Sequence, residues 1–89
     1  MKEYIVFLDR ATLIAELPIP AFDHTWVEHP DTRPEEVGDA LWRASIAITN
    51  KAPITRAVLD AAPKLRLVAV AATGVNNVDL EACRERGVA

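Results

Sequence analysis

Four short strand-like runs, separated by segments of helical pattern, set the narrowest limit on what this chain can fold into. Tyr4-Ile5-Val6-Phe7-Leu8 is β-branched and aromatic and ends at Asp9. His24–Glu28 is a second run, closed by Pro30, and Ser45–Thr49 is a third, followed by the polar pair Asn50-Lys51. Leu65–Ala72 is the fourth, with Arg66 its one polar residue. The first and fourth, continuous apolar runs, suit strands covered on both faces.

The segments between them carry helix signals. Ala11–Leu17 is a short candidate, stopped by Pro18 and Pro20. Thr32-Arg33-Pro34-Glu35 has the spacing of a capping box, with proline in the first turn where its missing N–H costs little. Val37, Ala40, Leu41 and Ala44 then form one apolar stripe, which Gly38 weakens slightly. Thr55 is placed to cap a helix with Val58, Leu59 and Ala62 inward, stopped before Pro63. Asp79–Arg86 reads as a last helix, with Leu80 and Cys83 inward and Gly87 just past its end.

Strands alternating with amphipathic helices predict an α/β fold: a parallel sheet with helices on both faces, in three layers. The strands are expected near Tyr4–Leu8, Thr25–Glu28, Ile46–Thr49 and Arg66–Ala71, in spatial order 2-1-3-4. Val88-Ala89, after a helix end, reads as the start of a fifth strand, so the sequence is expected to be part of a larger architecture. Its 89 residues make one domain at most.

Composition narrows the class of function. A chain with 51% hydrophobic residues is no disordered tail. A net charge of −3 argues against nucleic acid, whose binders owe their affinity largely to Lys and Arg on phosphates. The single cysteine, Cys83, excludes an internal disulfide and a Cys-based zinc site, and points to a reducing compartment, with cytoplasm the expectation. The longest apolar run, Leu67–Ala72, falls far short of the about 18 residues a membrane helix needs. No membrane partner is expected.

Parallel sheets bind ligands in the loops at the C-terminal ends of their strands. Three loops qualify: Asp9–Thr12, Asn50–Thr55 and Thr73–Asp79. In the third, Gly74 lies between a buried run and a helix, which permits close approach of an anion to backbone N–H groups; a simple turn is the alternative. Lys51 follows a strand end, where it can meet a carboxylate or stand in solvent. No G-x-G-x-x-G and no Gly-Lys-Ser/Thr loop is present. His24 and His29 have no orienting acid in sequence and read as structural or exposed. Cys83, Trp26 and Trp42 read as packing residues. Glu81, Arg84, Glu85 and Arg86 read as a solvated helix face.

At Leu65–Asp79 the sequence resembles the D-isomer-specific 2-hydroxyacid dehydrogenases. The family pattern there is a buried strand, a glycine-containing loop, Asn-Val/Ile-Asp, then a helix ending in Arg-Gly-Val/Ile. Asn77-Val78-Asp79 and Arg86-Gly87-Val88 match it in type and spacing. Ile48-Thr49-Asn50-Lys51 and Ala71–Asn77 are similar to segments of the glycerate dehydrogenase or hydroxypyruvate reductase branch. Ala72 departs from the glycine that many members carry.

The resemblance implies a flavodoxin-like substrate-binding domain, partial here, over residues 1–89. It implies that backbone N–H groups at Thr73 and Gly74 hold a substrate carboxylate, with Lys51 on the same cleft. It further implies a longer parent, an NAD- or NADP-dependent oxidoreductase for small 2-hydroxy or 2-keto acids, forming a homodimer. In that parent the missing nicotinamide-binding domain supplies the arginine and the histidine–glutamate pair. No catalytic residue carries over to this chain, which alone is expected to be inactive and to bind no cofactor or metal. A stand-alone flavodoxin-like module that binds small acids or regulates a partner is the alternative. A phosphoacceptor receiver fits poorly, because the third run ends in Thr49-Asn50 rather than an aspartate.

Overall fold

The computed structural model describes residues 3–12, 21–70 and 77–89. Four strands, β1 (Glu3–Phe7), β2 (His24–Glu28), β3 (Ile46–Thr49) and β4 (Leu67–Val70), form one sheet in the order β2-β1-β3-β4. Every pairing is parallel, and Val6 stands level with Val27, Ala47 and Val68 across all four strands. The expected order and strand positions are therefore observed.

Three helices, α1 (Val37–Leu41), α2 (Arg56–Asp60) and α3 (Leu80–Glu85), pack on the face that carries Val6, Leu8 and Ala47. Val37, Leu41, Ile54, Leu59 and Ala82 are fully buried there, so the principal core lies between this face and the helices. The opposite face carries Ile5 and Phe7, both buried, then Ile46 and Ile48, half-buried, and finally Leu67 and Ala69, exposed. A short 3-10 turn occupies Arg10–Thr12. The rest of the expected first helix, residues 13–17, lies outside the described residues.

Several local expectations are corrected. The capping box at Thr32 does not form: the Thr32 hydroxyl is buried and donates to the Leu8 carbonyl at 2.6 Å. Helix entry there is a 3-10 turn at Pro34–Glu36 without a side-chain cap, and α1 begins at Val37. The fourth run is not buried on both faces, because β4 lies at the edge of the described sheet. Its ladder is extended by one residue, since Ala89 donates to the Arg66 carbonyl (2.8 Å) and accepts from the Val68 amide (3.0 Å). That bracketing of Leu67 is the bond pattern of a parallel neighbour. It agrees with the reading of Val88-Ala89 as the start of a further strand. Leu80 points outward, 57% exposed, and Ala82 takes the core position beside Cys83. Trp42 is likewise exposed rather than packed, with the Arg43 guanidinium over its ring.

The cap read from sequence at Thr55 is present, and Asp79, read as the first residue of the last helix, is its cap. Thr55 Oγ1 accepts from the Val58 amide at 3.2 Å, and the Asp79 carboxylate accepts from the Ala82 amide at 3.0 Å. Gly87 has φ +71°, and the amides of Gly87 and Val88 close on the carbonyls of Arg84 and Cys83. This is a Schellman ending, which glycine adopts without steric cost. Gly38 has a different reason: a Cβ there would meet Ala61 Cβ at 3.0 Å, where α1 crosses the end of α2.

Candidate functional site

The C-terminal edge of the sheet brings together the ends of β1 and β3. These strands flank the point where the chain's crossovers diverge, the first leading outward to β2 and the later ones to β3 and β4. Clefts at such switch points are the usual ligand sites of open parallel sheets.

Here the chain places a carboxylate of its own between the two strand ends. Asp9, directly after β1, is 1% exposed. Its Oδ1 accepts from the Asn50 amide at 2.9 Å, and its Oδ2 accepts from the amides of Lys51 and Ala52 at 2.5 and 2.8 Å. Three successive amides turned toward one carboxylate form an anion nest, and the anion is supplied by the protein.

A second set of bonds ties this loop to the segment that follows β4. The Ala52 carbonyl accepts from Thr49 Oγ1 at 2.8 Å and from Asn77 Nδ2 at 2.9 Å. The Ile54 amide donates to the Asn77 carbonyl at 2.7 Å, and the Asp79 amide donates to the Ile54 carbonyl at 2.8 Å. Val78 is buried between them, bridged to Ile54 as in a parallel ladder. The Asn-Val-Asp motif thus has a structural account: Asn77 clamps the loop after β3, Val78 enters the core, and Asp79 caps α3.

Of the expected site residues, Lys51 is described. It is exposed, and its backbone amide is one of the three on Asp9. Thr73 and Gly74 lie outside the described residues, which resume at Asn77. Asp9 and Asn77 were not singled out by sequence reasoning as site residues. The available signal was an aspartate directly at the end of a fully apolar strand, a place where a carboxylate is buried only if it is bonded.

The other candidates behave as packing or surface groups. His24 is half-buried, its Nδ1 2.8 Å from the Phe22 carbonyl, with its ring edge-on to Phe22 and Trp26. The Trp26 indole N–H donates to Glu28. His29 serves through its backbone, joining Phe7 to Arg10. Cys83 is buried, and burial, with the Asp79 carboxylate adding to it, pushes its thiol above the ordinary range. The expected solvated face of α3 also ties α3 to α2, through Arg56–Glu85 at 2.6 Å and Arg86–Asp60. Among the described residues no group of His, Cys, Asp and Glu is arranged to hold a metal ion. None of their helices is long and apolar enough to cross a membrane.

Residues 5–89 match the model of the D-isomer specific 2-hydroxyacid dehydrogenase catalytic domain. A Haemophilus influenzae protein, provisionally named a 2-hydroxyacid dehydrogenase, is 44% identical over 87 residues, covering 96% of this chain and 28% of its own length. Glycerate dehydrogenase of Methylorubrum extorquens is 40% identical over 89 residues, covering 99% of this chain and 28% of its own length. A solved 2-hydroxyacid dehydrogenase from Ketogulonicigenium vulgare superimposes with a TM-score of 0.62 at 28% identity, covering 97% of this chain and 28% of that one. The chain thus spans under a third of the length of these relatives. It belongs to the D-isomer specific 2-hydroxyacid dehydrogenase family, matching its catalytic domain from Ile5 to Ala89.

Proposed function

We propose that these residues form the substrate side of a longer nicotinamide-dependent oxidoreductase acting on small 2-hydroxy and 2-keto acids of the glycerate–hydroxypyruvate kind. The observation that carries this reading is the match to glycerate dehydrogenase along the whole chain. A relative named hydroxypyruvate reductase from Blautia hydrogenotrophica, 43% identical over 54 residues, supports the same substrate class. The substrate carboxylate is held by the backbone N–H groups of Thr73 and Gly74, and Lys51 adds positive charge at the rim. The nest after β3 supports this choice of loop. Its amides already hold Asp9, which leaves the loop after β4 to receive an external carboxylate.

A nicotinamide dinucleotide does not fit the residues of this chain. Its three glycines stand far apart in sequence, at positions 38, 74 and 87, so no G-x-G-x-x-G cradle can form. Cofactor binding in this reading belongs to a further domain of the parent, and the proton and hydride steps are not assigned to any residue here.

The test compares the full-length parent with the 89-residue chain. The parent is expected to reduce hydroxypyruvate or glyoxylate with NADH or NADPH, and the chain alone to do neither and to give no calorimetric signal with NADH. In the parent, Gly74→Pro removes one amide donor and is expected to weaken substrate binding while cofactor binding holds. Lys51→Ala is expected to weaken it less, because a rim charge is screened. Stoichiometric binding of NADH by the 89 residues would overturn the assignment.

A further inference from the structure

The amide nest formed by Asn50, Lys51 and Ala52 is an anion site that the protein fills with its own Asp9. A buried carboxylate bonded to three consecutive amides determines the path of that loop, since moving any one peptide leaves the charge short of a donor. The loop's outer side is equally constrained. The Ala52 carbonyl is held by Thr49 and by Asn77, and Asn77 is also where the chain returns from the loop that follows β4. Asp9, the loop carrying Lys51 and Asn77 are therefore linked by one chain of hydrogen bonds.

We propose that Asp9 is a positioning residue for substrate: seated in the nest at the switch point, it fixes the loop that carries Lys51 and, through Ala52, holds that loop against Asn77. The inference rests on the substrate-side reading given above. Asp9 contacts no substrate in this scheme, and it acts through the peptides it holds. An Asp9→Asn side chain has nearly the same volume, but it replaces one acceptor oxygen with an NH₂ group facing amide donors, so one edge of the nest loses its partner.

The experiment uses the full-length parent. Asp9→Asn is expected to raise KM for hydroxypyruvate about tenfold, as a small displacement of positioning groups does, while KM for NADH stays within about twofold. Hydrogen exchange at the amides of residues 50–52 should quicken in the same variant. Combined with Lys51→Ala, the loss should be no greater than for Asp9→Asn alone, since both act through one loop. If Asp9→Asn yields too little folded protein, Asn77→Ala carries the test. It leaves the nest intact, cuts the link to Ala52, and should give a smaller rise in substrate KM with NADH KM unchanged.

An active wild type whose substrate KM is unmoved by either variant would overturn the positioning role. So would a rise in NADH KM equal to the rise for substrate, which is the mark of general loosening. A wild-type parent that turns over no 2-keto acid with either nicotinamide would instead overturn the functional reading, and the inference with it.

Discussion

The Thr32 hydroxyl donates to the Leu8 carbonyl at 2.6 Å, across 24 residues of sequence. The bond fastens the entry to α1 onto the end of the central strand, inside the core, where both Leu8 and Thr32 are buried. Thr32→Val keeps the shape and removes the donor. It is expected to lower stability by about 1–3 kcal/mol, the usual cost of a lost buried hydrogen bond, and Thr32→Ser should recover most of it. Urea unfolding of the three proteins decides the matter. Equal midpoints would show that the bond contributes nothing.

Two glycines should respond to alanine for opposite reasons. At Gly87 the φ of +71° penalises a side chain although nothing lies within 4 Å, so Gly87→Ala should cost about 1–2 kcal/mol, and no second-site change in packing should restore it. At Gly38 the obstacle is Ala61 Cβ at 3.0 Å. Overpacking costs about 1–3 kcal/mol, against a gain of about 1 kcal/mol from better helix propensity, so Gly38→Ala should be mildly destabilising. Adding Ala61→Gly should relieve it. A thermal-melt cycle with these variants separates backbone strain from crowding.

Two groups should make stability respond to pH in a predictable sense. The Glu3 carboxyl is lowered chiefly by its hydrogen bond from Arg66, with Ser45 contributing. Its contribution is thus present above the ordinary glutamate range and is lost as pH falls through the lower folded-state value. Glu3→Gln should flatten the acid limb slightly, since the pair is solvent-facing. Cys83 has the opposite sign. Its thiol holds its proton longer in the folded state, so stability should decline as pH rises past the unfolded thiol's pKa of about 8.5. Cys83→Ala should abolish that decline, and wild-type Cys83 should react with a thiol reagent only as the protein unfolds. Rapid labelling of the native protein at neutral pH would contradict the burial.

Leu67 and Ala69 lie exposed on the less covered face of β4, and Leu67 is also bracketed by the Ala89 backbone at the strand's outer edge. Apolar composition on an open edge favours pairing with a second copy. The 89-residue chain is expected to self-associate with rising concentration, and Leu67→Lys should reduce this. Sedimentation velocity across a concentration series reads it directly, and a monodisperse wild-type monomer at the highest concentration would refute it.

What the residues announced by themselves depended on neighbours in sequence. The apolar runs at residues 4–8, 24–28 and 45–49 became strands because β-branched and aromatic side chains need a covered pleat. Thr55 capped a helix because a short oxygen-bearing side chain reaches an amide three residues on. Gly87 ended a helix because glycine takes a positive φ without cost. The parallel pairing of the strands followed from the alternation. Tertiary structure decided where local rules offered two outcomes. Thr32 had a cap within reach, but the Leu8 carbonyl gave its buried hydroxyl a partner instead. Leu80 sat on the stripe of α3 by spacing, yet Ala82 and Cys83 turned inward, because the rotation of so short a helix is set by its docking on α2 and the sheet. Asp9 looked like a turn residue after a strand. Only folding carried it to the amides of residues 50–52, some 41 to 43 positions away, since a buried carboxylate must find donors wherever the topology places them.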